Sequence, residues 1–597
     1  MAAPRLLFAL VFLLALLPAR GHAEAQAPAA ETEAAGTGAS ARPIAPGDGA
    51  AAPAEDSAQP AAAAGQGEAK AQPAQQSRVH SASAPGGTPA ARTVEVEVEE
   101  TVSPQADGHR AAEPYNPFVD TRLTFVFADD NLLAGPGEID EPSPGPQFDA
   151  SGRNKLFFEN YDTKDSGFET TTHLVLYKKS PTFFDRLYGE AALVLRLSPD
   201  GRFGDSSSYV RLAWTPEGWK DGEEVSFTGF PVSSDRFRLG YSYRLTWGGE
   251  SIFPRRSRRS NVPGARLKIK RERFYLWLGG KSALLDENIQ LQDERATELV
   301  ANYGVLGGAG VDLTETFRVE ANGGFFTRGT FATPDLRGEK LTAGGISGQV
   351  AYHVGRGVGT SIDLRLYTND PDSRPTFFRP ETYDGSTSYV IKAEVSYLVQ
   401  TLQDPNAFGS TVLQSAIAGD VNFALKTGKL RIFADAVYRD LAHILFNVPS
   451  FVPFQAFTDQ MHPHPETFAA VGFDYFIEGL HLTPGLRFGV KVPAWVVTDR
   501  LPAGVNPPVT LTGQRTVVVR AEGEFDILPP DAEVIPILAV EGTGRMDLSE
   551  YLAILGEVFF EIDNNRTTLV SDISGQNIAV FEKPARLGFN LVLQARF

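Results

Sequence analysis

The feature that most restricts the fold is a period of two that runs through most of the chain. From Phe118 to Phe597, apolar and polar residues alternate over segments of roughly 9–14 residues, broken by Gly, Pro, Asp and Asn. At 236–247, Phe237, Leu239, Tyr241, Tyr243, Leu245 and Trp247 take one side, and Arg236, Arg238, Gly240, Ser242, Arg244 and Thr246 take the other. In 187–197, Leu187, Gly189, Ala191, Leu193, Leu195 and Leu197 alternate with Tyr188, Glu190, Ala192, Val194 and Arg196. In 299–313 the apolar row is Leu299, Ala301, Tyr303, Val305, Gly307, Ala309, Val311 and Leu313. In 387–400, Tyr389, Ile391, Ala393, Val395, Tyr397 and Val399 oppose Ser388, Lys392, Glu394, Ser396 and Gln400. Successive side chains of a strand point to opposite faces, so each row predicts a strand with one apolar face.

Two architectures give such rows. A soluble sandwich buries the apolar face against a second sheet, and its strands usually have about 5–6 residues. A membrane barrel turns that face to lipid and needs strands of about 9–11 residues. The row lengths favour the barrel, as do the small polar residues mixed with charges on the second face. A sheet in lipid must also close, because an open edge leaves backbone groups unpaired in hydrocarbon. From residue 118 onward about twenty rows can be marked, among them 236–247, 265–279, 357–368, 514–527 and 566–573. Both termini on one side require an even number. Short turns at Thr427-Gly428-Lys429 and Gly355-Arg356-Gly357 then fall on opposite sides, so one row is miscounted or one pair misassigned. The expectation is an all-β, closed antiparallel transmembrane β-barrel of about 18 strands, with 16 to 20 acceptable. Barrels of that width can leave an aqueous channel, whereas about eight strands enclose only side chains.

The last segment carries a resemblance. Leu587, Phe589, Leu591, Leu593, Ala595 and Phe597 occupy every second position, and the sequence ends on Phe. This resembles the terminal strand of bacterial outer-membrane β-barrels, porin-like proteins among them. The resemblance implies that Phe597, with Leu593, Leu591 and Phe589, forms a signal read by the barrel-assembly machinery. It also implies outer-membrane lipid as a partner.

Residues 1–25 begin with Arg5, continue through an apolar run from Leu6 to Leu17, and end in small residues. That run is shorter than the roughly 20 residues of a spanning helix, so it predicts a secretory signal peptide, cleaved after Ala23 or Ala25. Residues 27–92 hold 24 Ala among 66 positions, with Ile44 and Val79 as the only large aliphatics. Such a stretch buries too little apolar surface to order itself, so 26–112 is expected to be a disordered Ala/Pro-rich periplasmic tail before a barrel at 113–597. Thr93–Glu100 alternates, and it weakly resembles the peptide by which TonB-dependent receptors contact their energy-transducing partner. A solvated acidic run explains it as well, and the body is short for about 22 strands plus a plug.

Composition removes several functions. With 73 acidic and 55 basic residues, the net charge of −18 argues against a nucleic-acid binder. The absence of Cys excludes thiolate metal sites and cysteine nucleophiles. Neither the His-x-Ser-Asn-Gly motif of barrel phospholipases nor a Gly-x-Ser-x-Gly elbow occurs, so no enzyme and no cofactor is expected. His462-Pro463-His464, in the Phe- and Pro-rich stretch 440–466, reads as a solvated loop or an inward constriction rather than a metal site. Asp129-Asp130 with Glu138, Asp140 and Glu141 lacks the spacing of a calcium loop.

What remains is a basic patch. Arg236, Arg238 and Arg244 share one side of their row, Arg255, Arg256, Arg258 and Arg259 follow, and the next row carries Arg266, Lys268 and Lys270. Lining a pore, these would attract anions. Alternatively they belong to a lattice of both signs that holds a wide barrel open, with Glu190, Glu272, Asp363, Glu394, Asp420, Asp435, Glu522, Glu524 and Asp526 as its acidic half. The expected function is passive passage of small hydrophilic solutes across the outer membrane of a Gram-negative bacterium, with mild anion preference. The alternative is a barrel serving a secretion or envelope-spanning machine, such as export of an acidic polysaccharide, with the tail tethering a periplasmic partner.

Overall fold

A computed structural model describes residues 118, 121–134, 145–150, 156–159, 171–197, 201–254, 260–291, 294–331, 333–355, 358, 386–446, 454–499, 513–521, 524–571 and 577–596. The signal peptide, the tail, Phe597, Arg255, Arg256, Arg258, Arg259, Asp363 and Glu522 lie outside them.

Eighteen antiparallel strands close into one ring. In chain order they are β1 (Arg122–Asp129), β2 (His173–Pro181), β3 (Leu187–Leu197), β4 (Tyr209–Trp214), β5 (Glu224–Phe230) and β6 (Gly264–Lys270). Next come β7 (Phe274–Leu291), β8 (Glu294–Thr314), β9 (Phe317–Thr330), β10 (Lys340–Val354), β11 (Thr387–Gln403) and β12 (Thr411–Thr427). The last six are β13 (Leu430–Arg439), β14 (Glu466–Tyr475), β15 (Leu482–Val492), β16 (Ile537–Asp547), β17 (Leu552–Ile562) and β18 (Ala585–Arg596). Each pairs with its sequence neighbour, and β1 closes onto β18 from Arg122↔Arg596 to Asp129↔Phe589. The β1–β2 contact is thinner: Arg122 pairs with His173, Phe118 bridges Leu176, and the Thr121 hydroxyl donates to the Val175 carbonyl at 2.8 Å.

The alternation does what it predicts, with the faces inverted relative to a soluble protein. In β14, Glu466, Phe468, Ala470, Gly472 and Asp474 are buried, while Thr467, Ala469, Val471, Phe473 and Tyr475 are exposed. In β8, Leu299, Tyr303, Val305, Val311 and Leu313 are exposed, whereas in β11 Ser388, Glu394, Ser396 and Gln400 are buried. An exposed apolar belt around a polar interior suits hydrocarbon as the surrounding solvent, and ring closure pairs the strand edges there, most thinly between β1 and β2. No helix among the described residues is long and apolar enough to cross a membrane.

Three rows are not wall strands, and a fourth lies almost wholly outside the described residues. The plainest of all, 236–247, lies in the connection between β5 and β6. Residues 357–368, described only at Val358, come in sequence between β10 and β11, which pair directly. With β10, β11 and β12 paired in order, Gly355 and Gly428 lie at the same end, which removes the turn conflict. Residues 514–527 enter a small sheet of Ala494–Thr498, Arg515–Ala521 and Glu524–Ile527, and 566–573 enters a hairpin of Thr567–Ser571 with Asn577–Phe581. Conversely, 265–279 is two strands, and β5, only seven residues long, had no visible row.

The small sheet stands at the end of the barrel with the longer connections. Ala494, Val496, Val517, Val519 and Ile527 cluster with Leu441 and Ile444 of a one-turn helix, α1 (Leu441–Ile444), and with Leu445 just after it. Arg520 ties the sheet to the wall by pairing with Asp526 and with Asp563, which directly follows β17.

Candidate functional site in the lumen

The β5–β6 connection turns into the barrel because its glycines reverse the chain. Gly240 and Gly248 have φ of 89° and 70°, the left-handed region where a Cβ would be strained. Between them Tyr243–Leu245 form a 3-10 turn, and Leu239 and Trp247 exchange backbone hydrogen bonds at 2.9 and 3.0 Å. The apolar side of the row therefore packs inside. Phe237, Leu239, Trp247, Ile252 and Phe253 are buried in one cluster with Leu306, Phe326, Leu398 and Phe446. The lumen is thus apolar beside this segment, not polar throughout.

Polar groups of the wall hold the segment, which accounts for their burial. Lys281 of β7 donates to the carbonyls of Ser234 (3.1 Å) and Gly248 (2.8 Å). Asn322 of β9 accepts from the Gly240 N–H at 2.9 Å. Glu394 of β11 accepts from the N–H groups of Tyr241, at 2.9 Å, and Ser242. The Trp247 indole donates to Ser347 of β10 at 3.0 Å. Arg328 of β9 donates to the carbonyls of Ile252 and Phe446, both at 2.9 Å, and so joins this connection to the one between β13 and β14. Ala442 and Phe446 belong to the lumen cluster, so part of 440–466 does fold inward.

A second inward segment, 156–159, comes from the β1–β2 connection. Its Phe157 and Phe158 rings sit over Gly489 of β15, where an added Cβ would lie 2.6 Å from Phe158 and 2.9 Å from Phe157. Only Gly leaves that notch. Arg487 of β15 reaches Glu159 at 3.5 Å and Asp435 of β13 at 2.6 Å. Glu159, Glu541 of β16 and Glu557 of β17 gather within 4.8 Å of one another, with Asn590 donating to Glu557 at 2.9 Å. The two inward segments meet at Arg244, which donates to the carbonyls of Phe157 and, at 2.9 Å, Glu159. Its guanidinium lies 5.2 Å from the Phe468 ring centroid.

Elsewhere the inner wall is a lattice of both signs. Arg211 pairs with Glu190 at 2.8 Å and also with Glu224, and Arg431 pairs with Asp474 at 2.7 Å. Glu466 lies between Arg439 at 2.6 Å and Lys491 at 2.8 Å. Of the expected acidic half, Glu190, Glu394, Asp420 and Asp435 are on wall strands. Glu272 pairs with Lys220 in turns at the opposite end, and Glu524 and Asp526 belong to the small sheet.

The six basic residues do not form one ladder. Arg236 donates to the Ser206 carbonyl at 3.2 Å, beside the β3–β4 connection. Arg238 pairs with Asp235; burial works to raise that carboxyl, but Arg238 outweighs it and holds Asp235 below the ordinary range. Arg244 reaches the other way, to 156–159. Arg266 and Lys268 share the inner face of β6 with Ser226 and Thr228 of β5, and Lys270 follows them toward the turn. Arg266 contacts the Phe237 ring at 5.9 Å and Lys268 the Tyr275 ring at 4.9 Å. Neither makes an ion pair among the described residues. Sequence reasoning missed Lys281, Asn322 and Arg328 as holders of the inward segment. Nothing local marks them, since the groups they hold lie far along the chain.

The remaining candidates lie apart. Asp129 and Asp130 are buried at the end of β1, and Asp129 accepts from the Asn131 N–H at 2.9 Å, while Glu138, Asp140 and Glu141 lie outside the described residues. The His464 ring stacks on Trp495 at 3.6 Å, at the edge of the small sheet.

No protein-family model matches the chain, and no curated protein does. Solved structures similar to it include the outer-membrane-expressed OmpT of Vibrio cholerae, at 11% identity and TM-score 0.31, covering 80% of this chain and 97% of that one. OpdQ of Pseudomonas aeruginosa is 8% identical at TM-score 0.36, covering 80% and 97%. OccAB1 of Acinetobacter baumannii is 8% identical at TM-score 0.37, covering 80% and 95%. Closure of the ring rests on the strand pairing itself.

Proposed function

We propose that the chain is a porin-type channel of a Gram-negative outer membrane that passes small hydrophilic solutes passively. The observation that carries this reading is the inward segment 231–254, held inside a closed 18-strand ring by buried groups of at least four wall strands. Barrels of 16–18 strands are wide enough for an aqueous path, and an inward segment narrows such a path without filling it. The protein is expected to fractionate with outer membranes and to shift on gels only after boiling. Planar-bilayer recordings should show discrete conductance steps. Recovery as a soluble protein would defeat the barrel in vivo, and a folded barrel without conductance would favour the export alternative.

Mild anion preference follows from near fields. Most of the net charge of −18 acts through water, where screening sets in within about 8 Å. Arg266 and Lys268 face the lumen without carboxylate partners, so they act on a passing ion at short range. Replacing both by Gln should lower the anion-to-cation permeability ratio read from reversal potentials in a salt gradient. Arg236→Gln and Arg238→Gln together should change it less, because Asp235 offsets Arg238. If neither pair moves the ratio, these charges serve the wall alone.

A further inference from the structure

Arg244 differs from the lattice around it. Arg439, Lys491 and Arg487 each pair with a carboxylate of Glu466, Asp435 or Glu159. Arg244 has two backbone carbonyls and the rings of Tyr243 and Phe468, and no carboxylate at ion-pair distance among the described residues. Its hydrogen bonds are therefore those of a cation to neutral acceptors. An oxyanion offers the guanidinium fork two charged acceptors in one plane, which is the stronger arrangement. The carbonyls that would be given up, those of Phe157 and Glu159, belong to the second inward segment, which is also held by the Gly489 notch, by Arg487 and by the Phe157 ring against Phe468.

We propose that Arg244 is an exchangeable latch: an oxyanionic solute in the lumen takes the guanidinium from the Phe157 and Glu159 carbonyls and releases segment 156–159 from the inward segment 231–254. The latch rests on the channel reading only for the route by which the anion arrives. In the latched state Leu156 is buried beside Leu245, and release exposes it.

The chain has no Cys, so Leu156→Cys supplies a single thiol whose labelling rate reports release. In the purified, heat-modifiable barrel, labelling with a charged maleimide should be slow in chloride. It should accelerate by on the order of tenfold in acetate or phosphate at equal ionic strength, as expected when bonds to neutral acceptors give way to charge-assisted ones. Adding Arg244→Gln should make labelling fast in every salt. Arg244→Lys keeps the charge but not the fork, and should lose the difference between acetate and chloride. Equal rates in acetate and chloride with Arg244 present, or slow labelling with Arg244→Gln, would overturn the latch. The readout does not depend on conduction. A barrel that conducts without salt-specific labelling defeats the latch alone, and one that labels as described without conducting defeats the channel alone.

Discussion

Replacing residues 235–260 by a Gly-Ser pair is expected to raise single-channel conductance several-fold and to move selectivity toward cations. Both effects come from one segment. Phe237, Leu239, Trp247, Ile252 and Phe253 occupy lumen volume that no wall strand would refill. The excised residues also carry seven arginines against only Asp235 and Glu250. Glu394, freed of the Tyr241 and Ser242 N–H groups, would then present its carboxylate to passing ions. The ring itself should survive. β5 and β6 stay paired from Glu224↔Lys270 to Phe230↔Gly264, and the parallel bridge of Ser233 with Val262 already keeps the two ends close enough for a short link. The check is planar-bilayer recording of variant and parent side by side, with heat-modifiability as the control for folding. Unchanged conductance from a folded variant would mean that the limiting resistance lies elsewhere, for instance at the small sheet over the long-connection end.

Period-two alternation made the wall legible, because lipid on one side and a polar lumen on the other act at every residue of a strand. The number of strands was legible for the same reason, although errors in both directions had to cancel. β5 is too short to show a row, and β6 and β7, joined by three residues, read as one. The failure at 236–247 has a different cause. An inward segment with apolar side chains on alternate residues satisfies the same pattern as a lipid-facing strand. The discriminating signal was Gly240 with Gly248-Gly249, which interrupts the row where the chain must reverse. The basic residues were found, but not their grouping. Arg236, Arg244 and Arg266 go to three different neighbourhoods because partners such as Ser206 and Phe157 are set by how the connections cross the lumen, which no local pattern encodes.

Glu466→Gln is expected to destabilise the barrel by about 3–5 kcal/mol, the cost of removing one partner from a buried charge cluster. The Glu466 side chain is 0% exposed, and it joins three consecutive strands: Arg439 of β13 on one side and Lys491 of β15 on the other. Arg439 is directly opposite it in the β13–β14 register. The amide cannot balance either cation, so two positive groups would face each other across β14 with little water between them. A drop in the temperature of the gel-mobility transition, or in the denaturant midpoint in lipid, reads the loss. Removing Lys491 as well, by Lys491→Met in the same chain, should recover much of it, because the second cation is then gone and the two effects are coupled rather than additive. Glu272→Gln is the contrast. Its pair with Lys220 is 61% and 67% exposed, and breaking it should leave the transition where it was. If both single variants shift the transition equally, buried and exposed pairs contribute alike and the inner charges do not hold the wall. If Glu466→Gln alone shifts it, the lattice is a structural member, and selectivity is left to the cations of β6 that stand outside it.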